Sequence, residues 1–273
     1  DMKWYSQQPD WWSGSPHNTG YATPGSHRYD NADTWLDFIE ASGIPVRGHT
    51  IFWGEIGALK ETPENMMQDP NWVEALGTNA LYWIEQRASN IVSRYAGRID
   101  EWDFNNELWH GDWYRGTFGP AITKQMADWA IAANPNIKLW FNEYGMLNNS
   151  NNAVDFRAHL QMLQGEGVQI DGVGVQGHFG SAPSAATVKA SLDILDDLGL
   201  PIKITEFDCG ATNMTETQMA DGLETVYRIA FEHSAVEGII MWGFWESNHW
   251  KPERALWKTD WTPTEQAFRY QDL

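Results

Sequence analysis

Short apolar runs alternate along the chain with longer segments in which apolar residues recur every three or four positions. The short runs have the length and the β-branched or aromatic content of buried strands, and the longer segments have the period of amphipathic helices. Six runs are predicted to be strands: residues 44–53, 98–108, 137–144, 170–179, 200–208 and 236–245. Strict alternation of strand and helix predicts a parallel sheet, either an open doubly wound sheet or a closed barrel.

Three helical segments carry start or stop signals. The first is predicted to begin at Asp69-Pro70, an N-cap followed by a first-turn proline. The second is predicted to open at Thr215, with Gln218 at the spacing of a capping box. The third is predicted to stop at Gly199. The apolar stripe of the first helix consists of Val73, Leu76, Ala80, Ile84, Ala88, Ile91 and Tyr95.

Polar or aromatic residues end almost every predicted strand. They are His49, Asn106, Glu107, Asn142, Glu143, Tyr144, Gln176, His178, Glu206 and Trp242. In a barrel, the carboxyl ends of all strands converge on one mouth, where active sites are built. An open dinucleotide-binding sheet would instead carry a Gly-x-Gly-x-x-Gly turn after its first strand, and this chain has none there.

The pattern therefore predicts the α/β class and a (β/α)8 TIM barrel formed by residues 1–273 as a single domain. Only six complete strands and a strand fragment at residues 2–4 are found. We therefore expect an N-terminally truncated barrel, with the first strand and most of the second missing.

Composition narrows the class of partner. Asp and Glu number 37 against 18 Lys and Arg, which gives a formal net charge of −19. Nucleic acids and anionic membrane surfaces require clustered positive charge, so we expect neither as a partner. A single cysteine, Cys209, excludes an intrachain disulfide and a multi-cysteine metal site. The chain has 17 Trp, many of them in polar stretches, and exposed indoles stack on the apolar faces of sugars.

Two glutamates stand at the ends of strands that lie three strands apart, Glu107 and Glu206. Glycoside hydrolysis requires two carboxyl groups that flank the glycosidic bond, and a separation of about 5–5.5 Å leads to retention of configuration. Strands three apart face each other across a barrel mouth. A lone glutamate more often caps a helix or pairs with arginine, but two at equivalent strand ends favour a catalytic pair.

Five segments together resemble a known enzyme family. In chain order they are Arg47-Gly-His-Thr-Ile-Phe-Trp53, Trp102-Asp-Phe-Asn-Asn-Glu107, Gly174-Val-Gln-Gly-His178, Ile204-Thr-Glu-Phe-Asp208 and Met241-Trp-Gly-Phe-Trp245. This set resembles glycoside hydrolase family 10, the xylanases with a (β/α)8 barrel, and most closely its plant-type branch. The likeness runs from residues 2–4 to a helix predicted at residues 263–273.

The resemblance implies an endo-acting hydrolase that cleaves β-1,4-xylosidic bonds of xylan with retention, and a secreted protein. By this resemblance Glu107 is the acid/base and Glu206 the nucleophile. Asn106 would bind the sugar 2-hydroxyl beside the cleaved bond, and His178 would hold Glu206, with Asp208 behind it. We expect no metal or other cofactor, because the family uses none and the chain has no His-Glu-x-x-His motif. We also expect a monomer.

Other positions match residues of the family that contact substrate. Those on the glycone side are Lys3, His49, Trp53, Gln176, Trp242 and Trp250. Lys3 and His49 would donate to hydroxyls, Trp242 and Trp250 would wall the sugar in, and Tyr144 would face the aglycone.

Two departures from the family pattern bear on which lengths of polysaccharide, and which side branches on it, the site accepts. Gly54 stands where many members carry a second histidine, and the loop at residues 11–28 is elongated. Two alternative functions stay open: the same retaining mechanism on another β-glycan, or a barrel that only binds carbohydrate. The second would be marked by loss of one catalytic carboxylate, and this chain retains both.

Overall fold

The computed structural model describes residues 29–54 and 79–273. These residues form two compact units, one from residues 29–54, 79–141 and 163–170 and the other from residues 142–162 and 171–273. Lys3, the strand fragment at residues 2–4, the loop at residues 11–28 and the helix start at Asp69-Pro70 lie outside the described residues.

The first unit builds short parallel strands and covers them with helices. Its helices are α1 (Asp30–Ala41), α2 (Ala80–Tyr95), α3 (Trp113–Phe118) and α4 (Ala121–Ala133). Its strands are β1 (Arg47–Gly48), β2 (Phe52–Trp53), β3 (Glu101–Asp103), β4 (Asn105–Asn106) and most of β5 (Lys138–Glu143). Strand β3 pairs in parallel with both β1 and β5, and β2 pairs in parallel with β4.

Close packing in this unit depends on a glycine in β1. Gly48 lies opposite Trp102 in the β1–β3 register, and a Cβ at Gly48 would approach the Trp102 ring to 2.1 Å. The fully buried ring of Trp102 therefore occupies the space that a side chain would take. Beyond β1, the buried guanidinium of Arg87 in α2 donates to the carbonyls of Ile51 at 2.9 Å and Thr50 at 2.8 Å. These bonds fix the chain between β1 and β2.

Helix α2 corrects one prediction. The stripe from Ile84 to Tyr95 is buried as predicted, but the helix begins at Ala80 and does not run continuously from Asp69. Asn79 has a non-helical ψ of 85°, and its side chain accepts from the N–H of Tyr82. Asparagine favours this N-cap geometry over a helix interior, because its amide oxygen satisfies an otherwise unpaired N–H.

The second unit centres on one long strand. Its strands are β6 (Gly172–Val175), β7 (His178–Phe179), β8 (Ile202–Cys209) and β9 (Val236–Met241). Strand β8 pairs in parallel with β6, β7 and β9. Its helices are α5 (Ser150–Gly165, residues 150–162 in this unit), α6 (Ala185–Asp196), α7 (Glu216–Glu232) and α8 (Glu265–Asp272), and short 3-10 turns cover Glu246–Asn248 and Pro252–Arg254. No described helix combines the length and apolarity needed to cross a bilayer.

Several predicted elements are present with shifted ends. Three predicted strands, at residues 44–53, 98–108 and 170–179, each divide into two short strands. Helix α6 ends at Asp196 and not at Gly199, which follows with a positive φ of 66°. The capping box of Thr215 and Gln218 is confirmed at the start of α7. The breaks in the strands lie beside the polar residues that were predicted to form the site.

Candidate active site

In the first unit, Glu107 follows directly after β4 in a strained conformation. Its φ of 61° lies in the left-handed region, which non-glycine residues rarely adopt outside functional sites. The indole Nε1 of Trp53 donates to its Oε2 at 2.8 Å. The β2–β4 register aligns Trp53 with Asn106, so the indole reaches the residue that follows. This strand pair thus presents a partly exposed carboxyl group held by one indole donor.

Below this carboxyl group lies a chain of buried polar residues. Asn105 and Asn106 are both buried, and Nδ2 of Asn105 donates to Oδ2 of Asp112 at 3.3 Å. Asp112 is also the N-cap of α3, where its Oδ1 accepts from the N–H of Arg115 at 3.2 Å. Burial raises the pKa of Asp112 to about 6 against the opposing effect of these donors.

His49 is oriented by the ion pair of Asp103 and Arg47. Its Nδ1 lies 2.9 Å from Oδ2 of Asp103, and the Arg47 guanidinium contacts the same carboxylate and Glu101. Burial favours the protonated form of Asp103, but Arg47 and His49 outweigh it and hold the pKa of Asp103 below its usual range. A charged Asp103 fixes the ring of His49 with Nδ1 inward, so Nε2 is the ring atom turned from this carboxylate.

In the second unit, Glu206 is buried in β8 and held at both oxygens. Nδ2 of Asn142 donates to its Oε1 at 2.7 Å, and Nε2 of His178 lies 3.2 Å from its Oε2. The Thr205 hydroxyl donates to Oδ1 of Asn142, which fixes the amide with its N–H groups toward Glu206. The backbone N–H of Glu206 donates to the carbonyl of Gln176 at 2.8 Å. Side chains from β5 and β7 therefore meet at this carboxylate of β8, and the segment between β6 and β7 binds its backbone.

His178 lies between two carboxylates. Its Nδ1 is 3.0 Å from Oδ2 of Asp208, a contact of charged groups whose angles fall outside those of a hydrogen bond. Burial lowers the pKa of His178, but Asp208 and Glu206 together outweigh burial and raise the pKa to about 9. His178 is therefore an imidazolium at neutral pH, and it directs an N–H donor and a positive charge at Glu206.

Asp208 anchors the far side of this network. Its Oδ1 accepts from Nη1 of Arg254 at 2.7 Å, and its Oδ2 accepts from Nε1 of Trp250 at 2.6 Å. Burial raises the pKa of Asp208, but His178, Trp250 and Arg254 lower it more, so the pKa lies below its usual range. The ring of Trp250 is 5.0 Å from that of His178, and the ring of Trp242 approaches His178 edge-on at 6.3 Å. Two indoles thus line the imidazolium.

Each unit gathers its own share of the predicted site residues. In the first unit, Trp53 and Asn106 lie at the strand end beside Glu107, and His49 is bonded to Asp103. In the second unit, the network around Glu206 includes His178, Asp208, Trp242, Trp250 and the backbone of Gln176. The backbone N–H of Tyr144 donates to Oε1 of Glu143, and Lys3 lies outside the described residues.

The sequence motifs give no role to three residues of this network: Asn142, Thr205 and Arg254. The sequence marks Asn142 only as a polar strand end, and Arg254 stands 46 positions after the aspartate it binds. Among the described residues, no group of three or more His, Cys, Asp or Glu side chains is arranged to hold a metal ion. Chemically, the arrangement offers one carboxyl group that accepts from an indole and one carboxylate that is positioned by an amide and an imidazolium.

Comparison with known proteins gives a consistent result. A family model described as "Glycosyl hydrolase family 10" matches residues 1–270. The chain is 36% identical over 275 residues, all of its length, to anti-sigma-I factor RsgI6 of Acetivibrio thermocellus. It is 32% identical over 250 residues, 90% of its length, to endo-1,4-beta-xylanase 2 of Arabidopsis thaliana. It spans only 33% of the first relative and 21% of the second.

A solved structure gives the fold. The intracellular xylanase of Thermoanaerobacterium saccharolyticum JW/SL-YS485, in complex with xylotriose, superposes with a TM-score of 0.80 at 23% identity. The match covers 98% of this chain and 84% of that chain. At this identity the likeness shows the fold alone, and the fold is the (β/α)8 barrel that the alternation of strands and helices predicts.

Proposed function

The chain belongs to glycosyl hydrolase family 10, and from this premise we propose that it is an endo-β-1,4-xylanase that cleaves xylan with retention of configuration. One observation carries the proposal: Glu206 is buried between the amide of Asn142 and the imidazolium of His178. Both partners donate to the carboxylate, so they fix its position and its direction. A glutamate with only a structural role would not require two such donors inside a strand.

In the first step, Glu206 attacks the anomeric carbon, and Glu107 donates its proton to the glycosidic oxygen of the leaving sugar. The C–O bond of the leaving sugar breaks while the bond to Glu206 forms, which gives a covalent glycosyl-enzyme of inverted configuration. The left-handed backbone of Glu107 and the indole of Trp53 limit the rotamers of the acid and aim its carboxyl group. Retaining enzymes of this class have their two carboxyl groups about 5–5.5 Å apart.

In the second step, Glu107 removes a proton from water, and the water oxygen attacks the anomeric carbon as the bond to Glu206 breaks. A second inversion restores the original configuration. The buried environment of Asn142 and His178 matters here as well, because both donors receive the carboxylate as it regains its charge.

Substrate-binding roles extend the proposal to neighbouring residues. Asn106 binds the sugar 2-hydroxyl, and Gln176 and His49 bind hydroxyls of the glycone; the Asp103–Arg47 pair orients the His49 ring. Trp242 and the half-exposed Trp250 form an aromatic wall beside His178, which suits the flat face of a pyranose. Lys3 on the glycone side and Tyr144 on the aglycone side complete the proposed set.

The proposal includes a partner and a location. The partner is a neutral polysaccharide, xylan or xylo-oligosaccharides, which suits a chain of net charge −19 better than an anionic polymer would. We propose that the protein is a secreted monomer, because a polymeric substrate of this kind lies outside the cell.

A second candidate function is carbohydrate recognition within a larger regulatory protein. The observation that favours it is the 36% identity to an anti-sigma-I factor, across all of this chain. In this case the domain would bind a glycan, and it could do so with slow hydrolysis of that glycan or with none. The presence of both Glu107 and Glu206 with their donors favours catalysis, because a binding domain needs neither.

One assay separates these functions. The full-length protein that carries this chain, and its Glu206→Ala variant, are incubated with xylan, mixed-linkage β-glucan and cellulose, and products are resolved by chromatography. Short xylo-oligosaccharides from xylan alone support the proposal. Products from another glycan alone would keep the mechanism and replace the polymer. Binding to xylan with no products, from a folded protein, would favour recognition over catalysis.

A further inference from the structure

An aromatic patch lies on the second unit outside the catalytic network. It consists of Phe244, Trp245, Trp257 and Trp261. The rings of Trp245 and Trp261 stack nearly parallel, with centroids 5.1 Å apart and an interplanar angle of 8°. The ring centroid of Phe244 lies 6.4 Å from that of Trp261 and 6.1 Å from that of Trp257, which it meets edge-on. Trp261 is 57% exposed and Phe244 is 51% exposed, so much of this apolar surface faces solvent.

Trp261 occupies a backbone position that normally belongs to glycine. The N–H of Trp261 donates to the carbonyl of Lys258, and the N–H of Lys258 donates to the carbonyl of Thr262, each at 2.9 Å. This is a hairpin in which the last residue of a four-residue turn, residues 258–261, is left-handed, the position at which glycine is strongly preferred. Trp261 has a φ of 67° there. A bulky residue is held in a strained conformation, yet most of its indole is left in solvent.

The hairpin is rigidly tied, so the indole is presented in a fixed place. Thr259 donates to Oε2 of Glu246 from its N–H at 2.7 Å and from its hydroxyl at 2.8 Å. The Asp260 carboxylate accepts from the N–H of Thr262 at 2.9 Å, and Nε1 of Trp245 donates to the carbonyl of Thr259 at 3.3 Å. The strain at Trp261 is therefore supported by several bonds, and little mobility is lost when a ligand binds.

The chemistry around the patch selects a neutral ligand with hydroxyl groups. Hydroxyls of Ser247 and Thr259 lie 3.1 Å apart beside the stacked indoles, and the carboxylates of Glu246 and Asp260 flank them. These carboxylates repel an anionic ligand. Flat indoles with hydroxyls and carboxylates at their edge match a pyranose ring, which has an apolar face and polar edges.

We propose that the aromatic patch of Phe244, Trp245, Trp257 and Trp261 is a second polysaccharide-binding site, which holds a neutral β-linked glycan chain by stacking on exposed indoles. The identity of the glycan as xylan rests on the proposed function. The patch begins two residues after Trp242 of the catalytic network, so a loop of this chain serves both sites. Its role is to keep the protein on an insoluble polymer between catalytic events.

The test compares Trp261→Gly with the parent protein. Glycine suits the left-handed position, so the variant should unfold at about the same temperature as the parent. Retardation in native gels that contain xylan, and depletion from solution by insoluble xylan, should fall at least fivefold. Trp261→Tyr retains an aromatic face and should recover most of the binding. Trp35→Ala is the matched control, because Trp35 is a similarly exposed tryptophan (65%) on α1 in the other unit, and the variant should bind as the parent does.

Four results would overturn the assignment. They are unchanged retardation of Trp261→Gly, an equal loss in Trp35→Ala, a parallel fall in turnover of a soluble aryl xylobioside, and a change of oligomeric state on size-exclusion chromatography. The last would mean that the patch covers a second copy of the chain. Gels containing β-glucan are run in parallel. If the parent hydrolyses no xylan but Trp261→Gly loses retention in a β-glucan gel, the second site stands and the proposed xylanase function fails.

Discussion

Asn142 donates a 2.7 Å hydrogen bond from Nδ2 to Oε1 of Glu206, and both side chains are buried. Thr205 binds the other end of the same amide, so the amide cannot rotate without losing a bond. Packing confirms how closely this amide is held: a Cβ at Gly174 would lie only 2.6 Å from Oδ1 of Asn142. Asn142 is therefore a positioning residue for the proposed nucleophile.

Asn142→Ala should lower kcat on xylan about 100-fold with a much smaller change in KM, because a misaimed nucleophile loses rate more than binding. Steady-state kinetics on a soluble xylan measure both constants. Asn151→Ala, at an exposed position of α5, is the control and should behave as the parent. A kcat equal to that of the parent would remove Asn142 from the positioning role.

Glu206→Ala should reduce turnover by on the order of 10⁶-fold, the scale seen when other enzymes lose their nucleophile. Sodium azide should restore activity on an aryl xylobioside, because the small anion enters the space left by the carboxylate and attacks the anomeric carbon. The product should be a glycosyl azide of inverted configuration, identified by NMR. A glycosyl azide of retained configuration, or full activity without azide, would contradict the nucleophile assignment.

Glu107→Ala should slow the hydrolysis of xylan by about 10²–10⁴-fold, the usual contribution of a general acid. Formation of the glycosyl-enzyme from an aryl glycoside with an acidic leaving group should be nearly unaffected, since that phenolate leaves without a proton. The ratio of the two losses is the measurement, with exposed Glu232→Ala on α7 as the control. Equal losses on both substrates would show that Glu107 is not the acid.

The pKa of His178 gives a prediction about stability. It is raised from 6.5 to about 9 in the folded protein, so the fold binds this proton more tightly than the unfolded chain does. The resulting stabilisation is complete below pH 6.5 and is lost as the pH rises through about 9. The difference in free energy of unfolding between the parent and His178→Asn should therefore shrink from pH 6 to pH 9.5. Unfolding in denaturant at each pH measures this free-energy difference. A difference that stays constant with pH would contradict a charged His178.

A substitution at Asp112 should stabilise the folded protein, whereas the substitution of His178 should destabilise it. Burial raises its pKa from 3.8 to about 6, so its contribution to stability is greatest below pH 3.8 and is lost as the pH rises through about 6. Asp112→Asn preserves the N-cap of α3 without the charge. Its melting temperature should equal that of the parent near pH 4 and exceed it by a few degrees at pH 7.5. Exposed Asp155→Asn should show no such trend, and a lower melting temperature at pH 7.5 would refute the prediction.

The repeating pattern and local signals predicted what is local in this fold. The apolar run of β8 and the capping box of α7 are read from neighbouring residues, and both are present. The pattern also predicted Glu107 at a strand end, and it directly follows β4; Glu206 was predicted at a strand end too, but it lies within β8, which continues to Cys209. Bonds across strands do not, because the register that places Asn142 of β5 beside Glu206 of β8 is set by packing of the whole sheet. The bond from Arg254 to Asp208 spans 46 positions and depends on the path of a loop.

The sequence also did not predict the unusual backbone conformations. No residue type signals that a glutamate and a tryptophan adopt left-handed φ values, as Glu107 and Trp261 do. Such values persist only when surrounding bonds hold them. Likewise, the apolar stripe that continues through residues 73–95 masked the break at Asn79, since periodicity is unaffected by one capping residue.

In the proposed reaction, the charges of the nucleophile and of three neighbouring groups have a consequence for the second step. Glu206, Asp208, His178 and Arg254 together carry two negative and two positive charges, so the resting cluster is electrically neutral. Once Glu206 becomes an ester, the cluster is left with one uncompensated positive charge in a buried setting. Release of the carboxylate restores neutrality, which makes Glu206 a better leaving group than an isolated ester would be. In the proposed mechanism, the imidazolium that aims the nucleophile therefore also shortens the lifetime of the covalent intermediate.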